Sequence, residues 1–342
     1  MKYIFCIHSN ICYYMSLSVI KYLGLKTDDI VFFYTWNYRP YRMPEYSYAD
    51  ISDIAYACTN LSFFKILHIP MKIRQMDRVI ATMTGNDGFS CFVPQMASLP
   101  FQIIATNKNC VRYDFIEEGT LYYMQDKYHI SYHRSLIMRT AFKLSNMFCK
   151  RIKLGHPSLC PLKRSESPFY YILRSPYSIC TKNAISLDIN FDEILVYDNT
   201  YRNDRPILIM DSILEYQLAE YKNVLQCYEY IINKLPHKNG LYVKLHPKND
   251  SRTLNLLEEI RSRNNIEMQF ITLPIEQILL FNKNKSPLYI GSIHSSLLLY
   301  AKVISTDNIV VAGCKVLKSH DCRYNSFYID SQLNTIFNKI IE

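Results

Sequence analysis

The sequence predicts an α/β protein of two Rossmann-like domains facing a cleft. Three observations predict the two α/β halves. Short apolar runs alternate with longer stretches of helical period, as in strand–helix–strand units on a parallel sheet. A loop-rich, polar middle divides two such series. The length, 342 residues, suits two cores of roughly 150 to 200 residues each.

The elements follow in order. KYIFCIHS from Lys2 and DIVFFYTW from Asp29 read as strands, with a helix from Tyr13 to Leu23 between them. FQIIAT from Phe101 and VRYDFI from Val111 continue the strand series. The span 157–205 carries Pro161, Pro168 and Pro176 and ends in YDNTYRNDRP, closed by Pro206; this is the linker. The expected domains are therefore 1–205 and 206–342. In the second, PILIMDS, GLYVKL, MQFITL, PLYIGS and NIVVAG read as strands. Between them Glu215–Lys234, Thr253–Arg263, PIEQILLF and SSLLLYAK read as helices, with Pro274 at a first turn.

Composition narrows the class. Apolar residues make up 49%, which excludes a disordered chain, and 8 glycines argue against a fibrous one. No charge-free apolar stretch reaches the ~20 residues of a membrane span. MKYIFCIHSNICYY lacks the long apolar core and cleavage site of a signal peptide. The eleven cysteines are scattered without a C-x-x-C pair, so reduced, buried thiols and a cytoplasmic location are expected.

The charge is local. The chain has 39 Lys+Arg against 30 Asp+Glu, and the span 127–165 holds nine bases and no acid. Without that span the bases number 39 − 9 = 30, equal to the acids. Nucleic acid is therefore disfavoured as a partner, because a long phosphate track needs bases along the whole contact. His133 to Lys153 draws as a helix with Arg139, Lys143 and Lys150 on one side. That face is either solvated or meets an anionic membrane or glycan, where each base adds about 1 kcal/mol.

The informative residues stand where strands end, the edge at which open parallel sheets bind ligands. Glu117, Glu118 and Gly119 follow VRYDFI; His246 and Pro247 follow GLYVKL; Ser295 and Ser296 follow PLYIGS and open a helix. A carboxylate there suits a general base, and a histidine suits proton donation to a leaving phosphate. Two serines at a helix N-terminus suit phosphate. Each has a plainer alternative: an E-E-G turn with Gly119 at positive φ, a loop histidine bonded to backbone, and a serine that only caps its helix.

Together IEEGTLYY, VKLHPKND and GSIHSSLLLYA resemble the bacterial sialyltransferases, closest to the lipooligosaccharide enzymes of glycosyltransferase family 52 and to the bacterial polysialyltransferases. The resemblance implies the GT-B fold and a metal-independent, cofactor-free enzyme. It implies inverting transfer of sialic acid, or a related nonulosonic acid, from a CMP donor to a glycan of lipooligosaccharide or capsule. Glu117 becomes the base with Glu118 as fallback, and His246 protonates or stabilises the departing CMP phosphate. Ser295 and Ser296 hold that phosphate, Lys244 beside Pro247 helps form the nucleotide pocket, and Glu276 grips the ribose. Asp211, ending PILIMDS, is the reserve base.

No D-x-D pair is present to hold a metal, and His129 and His133 have i,i+4 spacing without a third ligand. Two rivals stand beside this reading: a transferase using CMP-Kdo or a UDP-sugar, and a basic membrane or nucleic-acid adaptor. The expected location extends to the periphery of the inner membrane, through Arg139, Lys143 and Lys150. Oligomeric state is not legible.

Overall fold

The computed structural model describes residues 1–41, 45–59, 68–119, 151–153, 156, 158–163, 166–175, 183–189, 204–282, 285–330 and 337. They divide into two compact units, Met1–Asn190 and Phe191–Glu342. The linker at 197–203 and most of the basic segment, including Arg139, Lys143 and Lys150 and the helix expected there, lie outside the described residues.

The first unit is a parallel sheet in the order β3-β2-β1-β4-β5-β6-β7. Its strands are β1 (Lys2–Ile7), β2 (Ile30–Tyr34), β3 (Ser47–Asp50), β4 (Phe89–Val93), β5 (Cys110–Ile116), β6 (Tyr170–Leu173) and β7 (Ala184–Leu187). The central strands are buried on both faces, so they read as unbroken apolar runs such as IVFFY and FSCFV. Phe5 of β1 stacks on Phe92 of β4 at 4.4 Å between ring centroids, with planes at 7°. Helix Asn10–Leu23 follows β1; Ser9 caps its start and Gly24, at φ 61°, ends it.

FQIIAT, expected as a strand, lies in the helix Leu99–Ala105. Pro100 sits in its first turn, where a missing N–H costs nothing. The buried Gln102 amide then donates to Met96 O at 2.6 Å and to Lys153 O at 3.0 Å, tying the helix to two loops. Five apolar or amide residues in a row, Phe101 to Ala105, suit a helix buried all round as well as they suit a strand. The span 157–205, expected to be loop-rich, supplies β6 and β7. Three described bases of the basic segment are engaged locally. Arg151 pairs with Asp77 at 2.6 Å, Lys153 Nζ donates to Leu162 O, and Lys163 stands 3.9 Å from Glu166.

The second unit is a parallel sheet in the order β10-β9-β8-β11-β12. Its strands are β8 (Ile207–Ile209), β9 (Leu241–Lys244), β10 (Met268–Phe270), β11 (Tyr289–Ser292) and β12 (Ile309–Ala312). Helices Tyr221–Lys234, Ser251–Asn264, Ile275–Phe281 and Ser296–Ile304 fall between them close to the expected places. The first starts at Tyr221 rather than Glu215, because the backbone turns at Gln217, at φ 54°, while the Glu215 carboxylate braces a neighbouring turn. It accepts from Thr253 Oγ1 at 2.7 Å and from Asp250 N at 3.2 Å. Gly291 lets that helix lie directly on β11: a Cβ there would stand 2.4 Å from Ile231 Cγ2.

Both sheets reverse their strand order once, between β1 and β4 and between β8 and β11. Such switch points open a crevice at the carboxyl ends of the strands.

Candidate functional site

In the second unit the switch point is organised by Asp211, just past β8. It is buried, and its Oδ2 accepts from Ser292 Oγ at 2.7 Å, Ile293 N at 2.9 Å and His294 N at 3.1 Å. Its own N–H donates to the Tyr228 hydroxyl at 2.8 Å. The turn after β11 is thus pinned to the end of β8. That turn delivers Ser295 as the cap of helix Ser296–Ile304, with Leu297 N donating to Ser295 Oγ at 3.3 Å. The capping role is therefore real. Leu297 N and Leu298 N are engaged by Ser295 Oγ and Ser295 O, so the Ser295 hydroxyl hydrogen and the Ser296 N–H are what stand at the positive end of the helix.

His246 follows β9 in a tight turn held by Asn249. His246 N donates to Asn249 Oδ1 at 2.7 Å, and Asn249 N returns a bond to His246 O at 2.9 Å. Asn249 Nδ2 reaches Asp211 O at 3.2 Å, which joins this turn to the Asp211 hub. Lys248 N donates to His246 Nδ1 at 3.1 Å, so the neutral ring carries its hydrogen on Nε2. Partial burial pulls the imidazole below its ordinary value. Asp211 and Glu215 oppose that shift, and Lys248 and His294 add to it. His246 and Pro247 are both exposed.

Lys244, expected in the nucleotide pocket, is bonded to backbone. Its Nζ donates to Thr272 O at 2.7 Å and Leu273 O at 2.8 Å, fixing the loop that begins helix Ile275–Phe281. Glu276, in the first turn of that helix, is buried, and its charge acts on Lys244. Burial lowers the Lys244 pKa and Glu276 opposes the shift. The lysine thus holds the loop from which the helix bearing Glu276 starts.

In the first unit Glu117 and Glu118 follow β5 and part ways, as neighbours on extended chain must. Glu117 is wholly buried, and its Oε2 accepts from Leu173 N at 2.7 Å. Glu118 turns to His8, at the end of β1, with 3.2 Å between His8 Nε2 and Glu118 Oε2. The approach is off the hydrogen-bond line, so Oε2 is buried without an aligned donor. Burial raises Glu118 to about 8 against a smaller opposing effect of Gln95, and burial lowers His8 to about 4. Gly119 is not at positive φ; among the described glycines only Gly24, Gly85 and Gly240 are.

The structure thus gathers His246, Asp211, Ser295 and His294 in one unit, Lys244 with Glu276 beside them, and Glu118 with His8 in the other. Sequence reading missed His8, Asn249, Ser292 and His294. His8 ends the run KYIFCIHS, the same strand-end position that marked the other motifs. Asn249, Ser292 and His294 each lie within three residues of a motif, but their partners are distant in sequence. No group of three or more His, Cys, Asp or Glu side chains among the described residues is placed to hold a metal ion.

The 2,6-sialyltransferase of the Vibrionaceae Photobacterium sp. JT-ISH-224, solved with CMP and lactose, is similar over 90% of this chain and 70% of that one, at 12% identity and TM-score 0.51. That likeness supports the fold, two Rossmann-like units of the GT-B type. S. aureus MnaA with UDP matches over 91% and 79% at 12% identity and TM-score 0.48. The sialyltransferase of Photobacterium damsela matches over 91% and 80% at 11% identity and TM-score 0.34. No curated protein matches the chain. The family model described as alpha-2,8-polysialyltransferase (POLYST) matches residues 9–313. The chain belongs to the alpha-2,8-polysialyltransferase family and is a sialyltransferase-like glycosyltransferase.

Proposed function

We propose that the protein transfers sialic acid from a CMP-activated donor to a hydroxyl of a cell-surface glycan, with inversion and without a metal or other cofactor. The family description makes an α2,8-linked sialic acid the favoured product, so capsule is preferred to lipooligosaccharide as the acceptor class. The observation that carries the donor half is the Asp211 hub, which ties the His246 turn to the Ser295 turn through Asn249 and Ser292. A histidine with its hydrogen on Nε2 and a capped helix N-terminus suit one phosphate.

The base we assign is Glu118 rather than Glu117. Glu117 is sealed in the sheet and its carboxylate is spent on Leu173 N. Glu118 keeps 10% side-chain exposure, and its Oε2 lies 3.2 Å from His8 Nε2 rather than being bonded to the sheet backbone. In the step, the acceptor O–H proton passes to the Glu118 carboxylate. The hydroxyl oxygen's electron pair forms the bond to the anomeric carbon. The bond from that carbon to the phosphate oxygen breaks, and its pair leaves with CMP. His246 Nε2–H and the Ser295 and Ser296 groups stabilise the charge gathered on the departing phosphate. Glu276, positioned by Lys244, accepts from the ribose hydroxyls.

The test is incubation with CMP-N-acetylneuraminic acid and either a lactoside or an oligosialic acid primer, with EDTA. Wild type is expected to elongate the sialylated primer, whereas Glu118→Gln and His246→Ala lose most of the transfer. Activity that survives both substitutions, transfer only from a UDP-sugar or CMP-Kdo, or abolition by EDTA would overturn the reading. A peripheral membrane position is the finer proposal attached to the basic span 127–165. Charge reversal at Arg139, Lys143 and Lys150 should release the protein from anionic vesicles, and unchanged binding would end that proposal.

A further inference from the structure

We propose that His8 is the positioning residue of the catalytic base: its Nε2–H aligns and ionises the Glu118 carboxylate, and a Ser9–Cys12 relay fixes its tautomer. The inference rests on Glu118 being the base.

The geometry begins at the switch point of the first sheet. His8 follows β1 and Glu118 follows β5, with β4 between those two strands. His8 Nε2 stands 3.2 Å from Glu118 Oε2. On its other side His8 Nδ1 lies 3.7 Å from Cys12 Sγ, on the helix that β1 runs into. Ser9 Oγ, the cap of that helix, donates to Cys12 Sγ at 3.2 Å and accepts from Cys12 N at 3.4 Å. The ring is walled edgewise by Trp36, 5.4 Å away at 85°, and by Phe101 at 6.2 Å.

The proposed relay runs from Ser9 through Cys12 to His8. Burial, with Glu118 adding to it, pushes the Cys12 thiol well up, so it keeps its hydrogen. Cys12 Sγ already accepts from Ser9 Oγ, and in the relay its own hydrogen is directed to Nδ1, which makes Nδ1 the acceptor and places the ring hydrogen on Nε2. His8 is held down to about 4 and stays neutral at working pH, so Nε2–H is its one donor. That donor meets the buried Glu118 oxygen that has no aligned bond. Bonds of this kind are often loose before substrate arrives and tighten in the reacting complex.

The titratable groups described against His8 are Cys12 from the helix after β1 and Glu118 after β5, with Glu117 acting on Cys12; Trp36 and Phe101 carry no charge. Burial alone leaves Glu118 mostly protonated near neutral pH, where it cannot act as a base. A donor aimed at its oxygen favours the ionised form.

The experiment is the pH profile of kcat/KM with CMP-N-acetylneuraminic acid and an oligosialic acid primer, for wild type, His8→Ala, His8→Gln and Glu118→Gln. Loss of one donor to a buried carboxylate should move the acidic limb of His8→Ala upward by about one to two pH units. Its loss of rate should be about tenfold or more below the limb and small above it. His8→Gln, which retains an amide donor, should bring the limb back. A limb that does not move in His8→Ala, or a loss equal at every pH, would overturn the role of His8. If Glu118→Gln keeps its activity, the base assignment itself falls. The second measurement needs no variant: nitrogen NMR of histidine-labelled wild type should show His8 neutral with hydrogen on Nε2 at neutral pH. A hydrogen on Nδ1, or an imidazolium, would contradict the relay.

Discussion

Asp211 Oδ2 accepts from Ser292 Oγ at 2.7 Å, across the junction of β8 and β11 where the second sheet reverses its strand order. The same oxygen takes two backbone N–H groups of the following turn. An acceptor so occupied is a poor base and a good anchor. Asp211→Ala should cost about 2–4 kcal/mol in denaturant unfolding, because buried donors are left without a partner. Transfer activity should fall with it. A variant of full stability and no activity would restore Asp211 as a candidate base.

Lys244 and Glu276 are expected to act on binding more than on rate. Lys244→Met keeps the aliphatic stem and removes both bonds to Thr272 O and Leu273 O. A loosened Glu276 should raise the donor KM by about tenfold, roughly 1.4 kcal/mol, with kcat little changed. Glu276→Gln should reproduce the effect. A fall in kcat at unchanged KM in either variant would place the pair in the chemistry instead.

His246 should respond to nucleotide. Burial holds its imidazole below the ordinary value in the unliganded protein. A phosphate brought against Nε2 favours the charged ring, so its titration should move upward when CMP is added. Histidine NMR titration with and without CMP reads this directly. An unmoved or lowered value would show that the phosphate lies elsewhere.

Glu118 should reveal its cost in stability. Its carboxyl stands at about 8 in the folded chain against an ordinary 4.5. Between those values the folded state holds a proton that the unfolded chain has lost, so stability falls as pH rises through that window. Glu118→Gln does not titrate. It should match wild type near about pH 5 and exceed it by about 2–4 kcal/mol at about pH 8.5, in thermal or denaturant unfolding. An equal margin at both pH values would contradict the shift.

How much was legible differs by level. In the second unit the strands GLYVKL, PLYIGS and NIVVAG and their helices were readable because period and turn residues agree there. FQIIAT misled because a short, wholly buried segment has no polar face to reveal its period, and β6 and β7 were hidden among prolines. At the site, Glu117, Glu118, His246, Ser295 and Ser296 were visible as polar residues at strand ends. Which glutamate faces its partner was not, since adjacent residues on an extended chain differ only in the side to which they point.

The sequence by itself determined two α/β halves, the strand-end motifs and the family resemblance they carry, because apolar period and motif spacing are local properties. Only the tertiary structure decided that Lys244 holds the loop before Glu276, that Asp211 anchors a turn and that His8 meets Glu118. Those relationships join residues 32, 81 to 83 and 110 positions apart (276 − 244, 292 to 294 − 211, and 118 − 8). Parallel strand order brings them together, and a chain read along its length does not display which strands become neighbours.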